Sequence, residues 1–434
     1  MQLLSLIAII MGIILFVVCA FRGVNLLLAA LLSSVLIMAL SRMPILDTTN
    51  DLWMVTFSGF LKSFFLIFIL SSLFGKTLAD GKASRSMAVA FSKVIYKSEK
   101  NRKLFAVLFV PIMYTILSYA GVSGFVIVFT VMAMSRDLFQ EFDVPWRFYA
   151  YGAPLNVATT ILGGSLQLTN IMLSNMFDTG MAAGMGLSVV GAIVFCAVTF
   201  LLCKLDLRKA EHTGEGFMDT GAAMKNDAIG QNVEEEKLPH VALAFLPMAS
   251  VILIAAIFNQ VLIALVVGII MNFLLFSRYM PSIKGTLGEG ITSGFAPVIN
   301  VAAASALSSI IAQAPGFGLV INVYDAMPAL YGGIFLIALI TFLTATPTAS
   351  YPAFGEMIFG NMVASGISAQ ASHRIMAAAT FPCLGPHSPG VVNAAMITKI
   401  EFKKAAWIYT KVSIVSGLAA IIAMVICINL GIFV

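Results

Sequence analysis

The sequence predicts an all-α polytopic membrane protein made of two inverted-topology repeats. Each repeat holds a re-entrant helical hairpin and a discontinuous helix. Three observations predict this. Only 10% of the 434 residues are charged while 60% are hydrophobic, against about a quarter charged in soluble proteins, and the mean hydropathy is +0.99. Apolar runs close to membrane-crossing length recur from one end of the chain to the other. The polar interruptions within these runs come in the same order twice.

The first three runs are Leu3–Ala20, Val24–Leu40 and Phe57–Phe74, bounded by Arg22, Arg42 and a polar stretch. The first run has no basic flank ahead of it and a second span follows at once, which argues against a cleaved leader. Gly75–Lys103 carries eight basic residues, and within it Ala83–Tyr96 reads as an amphipathic helix at the membrane interface. Leu104–Leu117 and Val122–Met134 are short apolar pieces joined through Ser118-Tyr119-Ala120-Gly121, which suits a re-entrant hairpin. Phe148–Phe177 is apolar but interrupted at Asn156, Gly163-Gly164, Gln167 and Asn170. Met181–Leu202 is an uninterrupted span, and 204–240 reads as a hydrophilic linker on the cytoplasmic side.

The second half repeats the order. Val241–Phe258, Val261–Phe276 and Ile291–Ala312 are spans. Leu330–Leu343 and Phe354–Val363 flank a polar turn at Thr344–Tyr351. Ile375–Ile400 is interrupted by Gly385-Pro386-His387-Ser388-Pro389-Gly390, and Ala405–Val434 closes the chain. Residues 1–203 and 241–434 are thus the two expected repeats, each running from outer spans (1–103, 241–329) through a hairpin and broken helix (104–177, 330–400) to a closing span (181–203, 405–434).

If each hairpin enters and leaves by one face, each half crosses five times and the halves are inverted. With Gly75–Lys103 inside, 21 of the 25 basic residues fall on the inner face, as the positive-inside tendency expects. Arg42 and Arg374 then lie outside, and Lys62 and Lys411 lie within spans. Full-length crossing by every hairpin arm leaves many of the same loops basic.

Broken helices inside a membrane need a reason, because an unsatisfied backbone group there costs several kcal/mol. Half-helix ends facing a polar cavity are the usual one in secondary carriers. Candidate binding residues follow from the interruptions. In the first half they are Ser118, Gly121, Ser123, Gly124, Asn156, Thr159, Thr160, Gly164, Ser165, Gln167, Thr169 and Asn170. In the second they are Thr346, Thr348, Ser350, Gly385, His387, Ser388 and Asn393. His387, flanked by two prolines in an apolar segment, is the sharpest candidate for taking up a proton. Glu356, Asp80 and Asp325 complete the candidate ion-coupling groups.

Other classes find little support. Five scattered cysteines form no disulfide framework, and the net charge of +5 is spread along membrane flanks rather than gathered for nucleic acid. No phosphate loop, HExxH, CxxC or GxSxG pattern occurs. No enzyme, no cofactor and no metal site are expected. A channel-like anion pore is the alternative of another class, although no repeated filter sequence is present.

Leu384–Asn393 (LGPHSPGVVN) resembles the LPHSGAVN stretch of the gluconate permease (GntP-type) family of organic-anion carriers, within the ion-transporter superfamily. Phe74–Ala83 is similar to that family's FGxLLxxSGxA pattern, with Asp80-Gly81 where Ser-Gly is usual. Gly163–Asn170 occupies the region where the family carries PPHPGP. The resemblance implies a symporter of a small organic anion, a carboxylate, in the bacterial inner (cytoplasmic) membrane. It also implies proton drive, with sodium as the alternative ion, and a homodimer in which a transport domain moves against a scaffold by an elevator-type mechanism. The lack of an arginine at a clear mid-membrane position tilts the expected substrate toward monocarboxylates.

Overall fold

The computed structural model describes residues 2–95, 101–119, 124–165, 167–225, 238–258, 261–319, 324, 326–345 and 347–433. Every regular element among them is helical. The protein is an all-α polytopic membrane protein, with seven helices long and apolar enough to cross a bilayer among the described residues. Rows of outward-facing aliphatic side chains, such as Ile193 and Leu201 or Leu274, are 51–78% exposed on these helices together with Ile270. Such rows suit a hydrocarbon solvent.

The helices are α1 (Gln2–Phe21), α2 (Leu26–Leu40), α3 (Ile45–Asp80), α4 (Ala83–Ile95), α5 (Arg102–Tyr119), α6 (Gly124–Glu141), α7 (Leu155–Ile161), α8 (Leu168–Phe177) and α9 (Met185–Thr213). After a short turn of helix at Phe217–Gly221 come α10 (Val241–Phe258), α11 (Val261–Phe276), α12 (Ile283–Gln313), α13 (Ala329–Thr344), α14 (Pro347–Ala364), α15 (Ala369–Ala378), α16 (Pro389–Thr398) and α17 (Phe402–Asn429).

The packing comes in matching pairs. α1 lies on α2 as α10 lies on α11, and α2 meets α12 as α11 meets α3. α6 packs on α16, while α14 packs on α8. The two closing helices, α9 and α17, pack on each other. Small residues make these approaches close. Gly191 faces Met424, and Thr199 and Ser416 share a hydrogen bond of 2.9 Å.

α12 is the most enclosed long helix. Its Ala302, Ala303, Ala304 and Ala306 are buried where α2, α3, α13 and α16 converge. Small side chains let backbones approach, which is how helices associate tightly in lipid. α3 is held to α12 by a Ser72–Ser293 hydrogen bond of 2.7 Å and by Lys76, which pairs with Glu289 (2.8 Å) and Asp80 (3.1 Å).

Several boundaries differ from the sequence reading. α3 extends well beyond Phe57–Phe74 at both ends and carries one π-turn at Thr49–Trp53. Residues 83–95 are helical as expected, but the helix packs on α6 and α10 with Arg85 and Met87 buried, rather than lying with one face on lipid. α9 runs past the expected end of its span to Thr213, taking the first part of the linker into the helix. The segment after it is tied down: Arg147 holds Glu215 through two bonds of 2.7 Å, and the Phe217 N–H donates to Asp143 at 2.8 Å. The hairpin arms are longer than the apolar runs, since α5 and α6 have 18 residues each, about 27 Å of helix. Asn156 and Asn170 sit inside α7 and α8 rather than interrupting them.

A glycine pair tests this packing. A methyl group at Gly316 would lie 2.2 Å from the Leu6 backbone nitrogen, whereas one at Gly360 meets nothing within 4 Å. Gly316→Ala is therefore expected to destabilise by about 1–3 kcal/mol and to lower the thermal midpoint of the purified protein. Gly360→Ala, on an open helix face, should leave that midpoint unchanged or slightly raised.

Candidate functional site

Two breaks in the helical framework gather most of the buried polar side chains singled out above. The first lies between α7 and α8. Ile161 is the last residue of α7, and the chain turns through Leu162-Gly163-Gly164-Ser165 before α8 begins. Gly164 has φ +77°, a conformation that favours glycine.

The end of α5 closes over this break. The Ser118 and Thr159 hydroxyls are 2.6 Å apart, and the Gln167 amide donates to the Ser118 carbonyl (2.5 Å) and hydroxyl (2.7 Å). The Tyr119 hydroxyl donates to the Gly163 carbonyl at 3.3 Å, and the Gly163 N–H donates to Ser188 at 3.0 Å. Thr159 and Thr160 both donate back to the Asn156 carbonyl at 2.9 Å, and Thr169 donates to Thr160 at 3.5 Å. The Asn156 amide lies against Gly124, at the first turn of α6; a Cβ there would be 2.4 Å from its nitrogen. Ser118, Gly124, Asn156, Thr159, Thr160, Gln167 and Thr169 thus form one cluster.

Beyond it, Asn170 is drawn into a second group. Its amide donates to the Ser165 carbonyl at 2.8 Å. Its carbonyl accepts from Arg374 at 2.7 Å, and Arg374 also donates to the Met181 carbonyl (2.8 Å) and the Ile161 carbonyl (3.4 Å). Ile161 ends α7 and Met181 lies in the turn between α8 and α9, so one guanidinium from α15 ties both ends of this broken segment together. His373 lies beside it, hydrogen-bonded to Thr179 at 2.6 Å. Both Arg374 and His373 are wholly buried, and Arg374 forms no ion pair with a carboxylate among the described residues.

The charge count sets Arg374 on the outer side, and the structure buries its side chain within the protein. Sequence reasoning also passed over His373. The available signal was their adjacency on a ten-residue helix lying between Gly366 and the proline-rich break.

The second break lies between α15 and α16. A short 3-10 turn at Phe381–Cys383 leads to a non-helical stretch, and Ser388 caps α16 by accepting from the Gly390 N–H at 3.2 Å. Pro389 is the first residue of α16, where its missing N–H costs nothing. Thr410 of α17 donates to the Leu384 carbonyl at 2.9 Å. His387 is buried against Phe342, their ring centroids 5.7 Å apart, with its CH edge 3.1 Å from where a Cβ on Gly385 would be. Its Nε2 donates to the Leu343 carbonyl at 3.1 Å. Since a carbonyl only accepts, Nε2 carries a proton and Nδ1 of the neutral ring is a bare lone pair.

Five buried polar atoms at these breaks have no hydrogen-bond partner among the described residues. They are Asn156 Oδ1, Ser165 Oγ and Arg374 Nε in the first, and His387 Nδ1 and Asn393 Oδ1 in the second. An unmet buried donor or acceptor costs about 1–3 kcal/mol.

The remaining candidates fall elsewhere. Asp80 is engaged with Lys76 and accepts from Thr286 at 2.6 Å, away from both breaks. Glu356 is exposed on α14 and forms no ion pair among the described residues. Gly121, Ser123, Thr346 and Asp325 lie outside the described residues. Thr348 and Ser350 fall in the first turn of α14, with side chains outside the described set. Lys411, expected within a span, joins Asp206 and Tyr151 where α17 meets α9.

No family model matches the chain. It is 28% identical over 355 residues to an uncharacterized transporter, YxjC, of Bacillus subtilis (strain 168), covering 72% of this chain and 74% of that protein.

The guanidinium bridge gives a stability prediction. Arg374→Leu removes the bonds that the guanidinium gives to Asn170 Oδ1 and to the Met181 and Ile161 carbonyls in a buried site, and is expected to cost about 1–3 kcal/mol. Arg374→Lys, which keeps the charge but not the forked geometry, should cost less. Thermal unfolding of the purified variants in detergent ranks them; equal midpoints for wild type and Arg374→Leu would remove the bridging role.

Proposed function

We propose that this chain is a secondary active transporter, a proton-coupled symporter of a small organic anion bearing a carboxylate. The observation that carries the reading is the set of unpartnered buried polar atoms at two helix breaks, Asn156 and Ser165 in one and His387 and Asn393 in the other. Such atoms are costly unless something else meets them at a stage of the working cycle. A small polar substrate and a proton are what interrupted helices in a membrane commonly serve. The likeness to a Bacillus protein named as a transporter supports carriage. The resemblance of Leu384–Asn393 to the gluconate permease stretch supports an organic anion.

In this reading His387 is the proton site. Its Nδ1 lone pair is buried and available, while Nε2 is anchored on Leu343. Protonation there places a positive charge next to Ser388 at the start of α16, favouring an incoming carboxylate. Asn156, Gln167 and Ser118 supply neutral hydrogen-bonding groups from the other break, and Arg374 braces the arrangement. Sodium, held by carbonyl and hydroxyl oxygens such as those of Ser118, is the alternative ion.

The same reading takes 1–203 and 241–434 as inverted repeats and 204–240 as a cytoplasmic linker. The segments 104–177 and 330–400 are the moving body of an elevator, and the outer spans are the scaffold of a homodimer in a bacterial cytoplasmic membrane. The chain needs no cofactor for this and acts as no enzyme.

Proteoliposomes test it. A set of small organic acids should include at least one that shows saturable uptake and counterflow, accelerated by an inward proton gradient and indifferent to sodium. His387→Gln should abolish proton-driven accumulation by tenfold or more while leaving folding intact. A sodium requirement with an unaltered His387→Gln phenotype would overturn the proton role, and non-saturable flux without counterflow would favour a pore.

A further inference from the structure

A cavity of about 300 Å³ lies at the opposite end of α16 from His387, distinct from both breaks. One wall is the α3–α12 pair, with Lys76 and Ser293. The facing wall is α6 and the last turn of α16, with Phe129 and Met132 opposite Met396 and Ile397. The chain that follows the short helix Phe217–Gly221, through Met224 and Lys225, closes one side. In the division proposed above, the first wall is scaffold and the second is moving body. The cavity therefore lies on the boundary that an elevator movement would open and close. All four of its cations belong to the face that the charge distribution places inside.

Those four cations are not equivalent. Lys76 is answered by Asp80 and Glu289, and Arg136 by Asp137 at 3.0 Å. Lys225 also has an interaction partner. Lys399 is exposed and makes no ion pair among the described residues. It ends α16 in a left-handed conformation, with φ +54°. A non-glycine residue there is uncommon and costs about 1 kcal/mol or more, so keeping a lysine at this position calls for a reason beyond turning the chain.

One side of the cavity between the cations is apolar, made by Phe129, Met132, Met396 and Ile397, with Met224 across. The two hydroxyls on the wall, Ser72 and Ser293, are bonded to each other at 2.7 Å. A polyhydroxylated acid seated along this side would set hydroxyls against methionine and phenylalanine, where they gain no partner. A hydrocarbon chain would meet no such penalty.

We infer that this cavity is the inner-mouth binding site for the transported anion. The geometry suits a monocarboxylate with a compact, unhydroxylated body, its carboxylate on Lys399 and its carbon chain against Phe129, Met396 and Ile397. This rests on the carrier reading and narrows its substrate, away from sugar acids.

Three six-carbon probes test the inference on the purified full chain: hexanoate, gluconate and hexanamide. Hexanoate should raise the thermal midpoint saturably, by mass action on the folded state. Gluconate and hexanamide, lacking the apolar body and the charge respectively, should leave the midpoint unchanged at the same concentrations. Lys399→Gln should raise the half-saturating hexanoate concentration about tenfold, and Lys399→Arg should restore it. Stabilisation by gluconate at lower concentration than hexanoate, no stabilisation by hexanoate, or a Lys399→Gln response equal to wild type would each overturn it. Counterflow in proteoliposomes separates the two readings. Gluconate counterflow without a hexanoate shift retires the cavity proposal and keeps the carrier, whereas no counterflow with any organic anion retires the carrier.

Discussion

In lipid, a backbone carbonyl or N–H that loses its helical partner must find another within the protein. That constraint governs the whole centre of this molecule. Unbroken helices such as α9 and α17 meet it alone and are free to turn aliphatic side chains outward. The chain between α7 and α8 cannot, and the protein spends side chains on it: Tyr119 and Ser188 on Gly163, Asn170 on Ser165, and Arg374 on Ile161, with Met181 beyond α8 drawn in as well. Arg374 is the most expensive of these. A buried guanidinium without a carboxylate is tolerable only because several carbonyl dipoles converge on it. The residue comes from the second half and the carbonyls from the first, so the first break is completed only with the other half in place.

The two breaks meet the constraint differently. At the first, Gln167 and Ser118 satisfy one another closely, and the cross-half arginine locks the rest. The second has fewer internal partners: Thr410 reaches Leu384 and Ser388 caps α16, while His387 and Asn393 each keep a buried atom unpaired. Both breaks nevertheless keep buried atoms unpaired, Asn156 and Ser165 at the first and His387 and Asn393 at the second, and a partly satisfied network is poised to gain from a ligand.

Much of this was legible in the sequence. Helical content and membrane residence followed from apolar runs and scarce charge. The position of each break followed from glycine and proline, because those residues alter backbone geometry directly. His387 stood out because two prolines isolate it. What could not be read was which polar group answers which. The Ser118–Gln167 contact spans 49 residues and the Asn170–Arg374 contact spans 204, and no local pattern encodes either. The burial of Arg374 was illegible for the same reason: a charge beside an apolar run suits a wet surface or a buried carbonyl cage equally well. The helix at 83–95 shows the reverse error. Its amphipathicity was real, but its apolar face meets α6 and α10 instead of lipid, and periodicity cannot tell one apolar partner from another.

Charge placement carries the argument one step further. The four cavity cations lie where the chain is richest in basic residues, so topology alone would explain a positive surface there. It does not explain an apolar side to the cavity between them. Nor does it explain a lysine held in a left-handed turn at the end of the very helix whose other end begins beside His387. In the function proposed, α16 joins the proton site at its start to the anion site at its finish. With only ten residues, about 15 Å, it is short enough for occupancy at one end to be felt as a displacement at the other. Coupling of that kind requires a rigid connecting element rather than a chain of contacts, and an unbroken helix is the stiffest such element in the molecule.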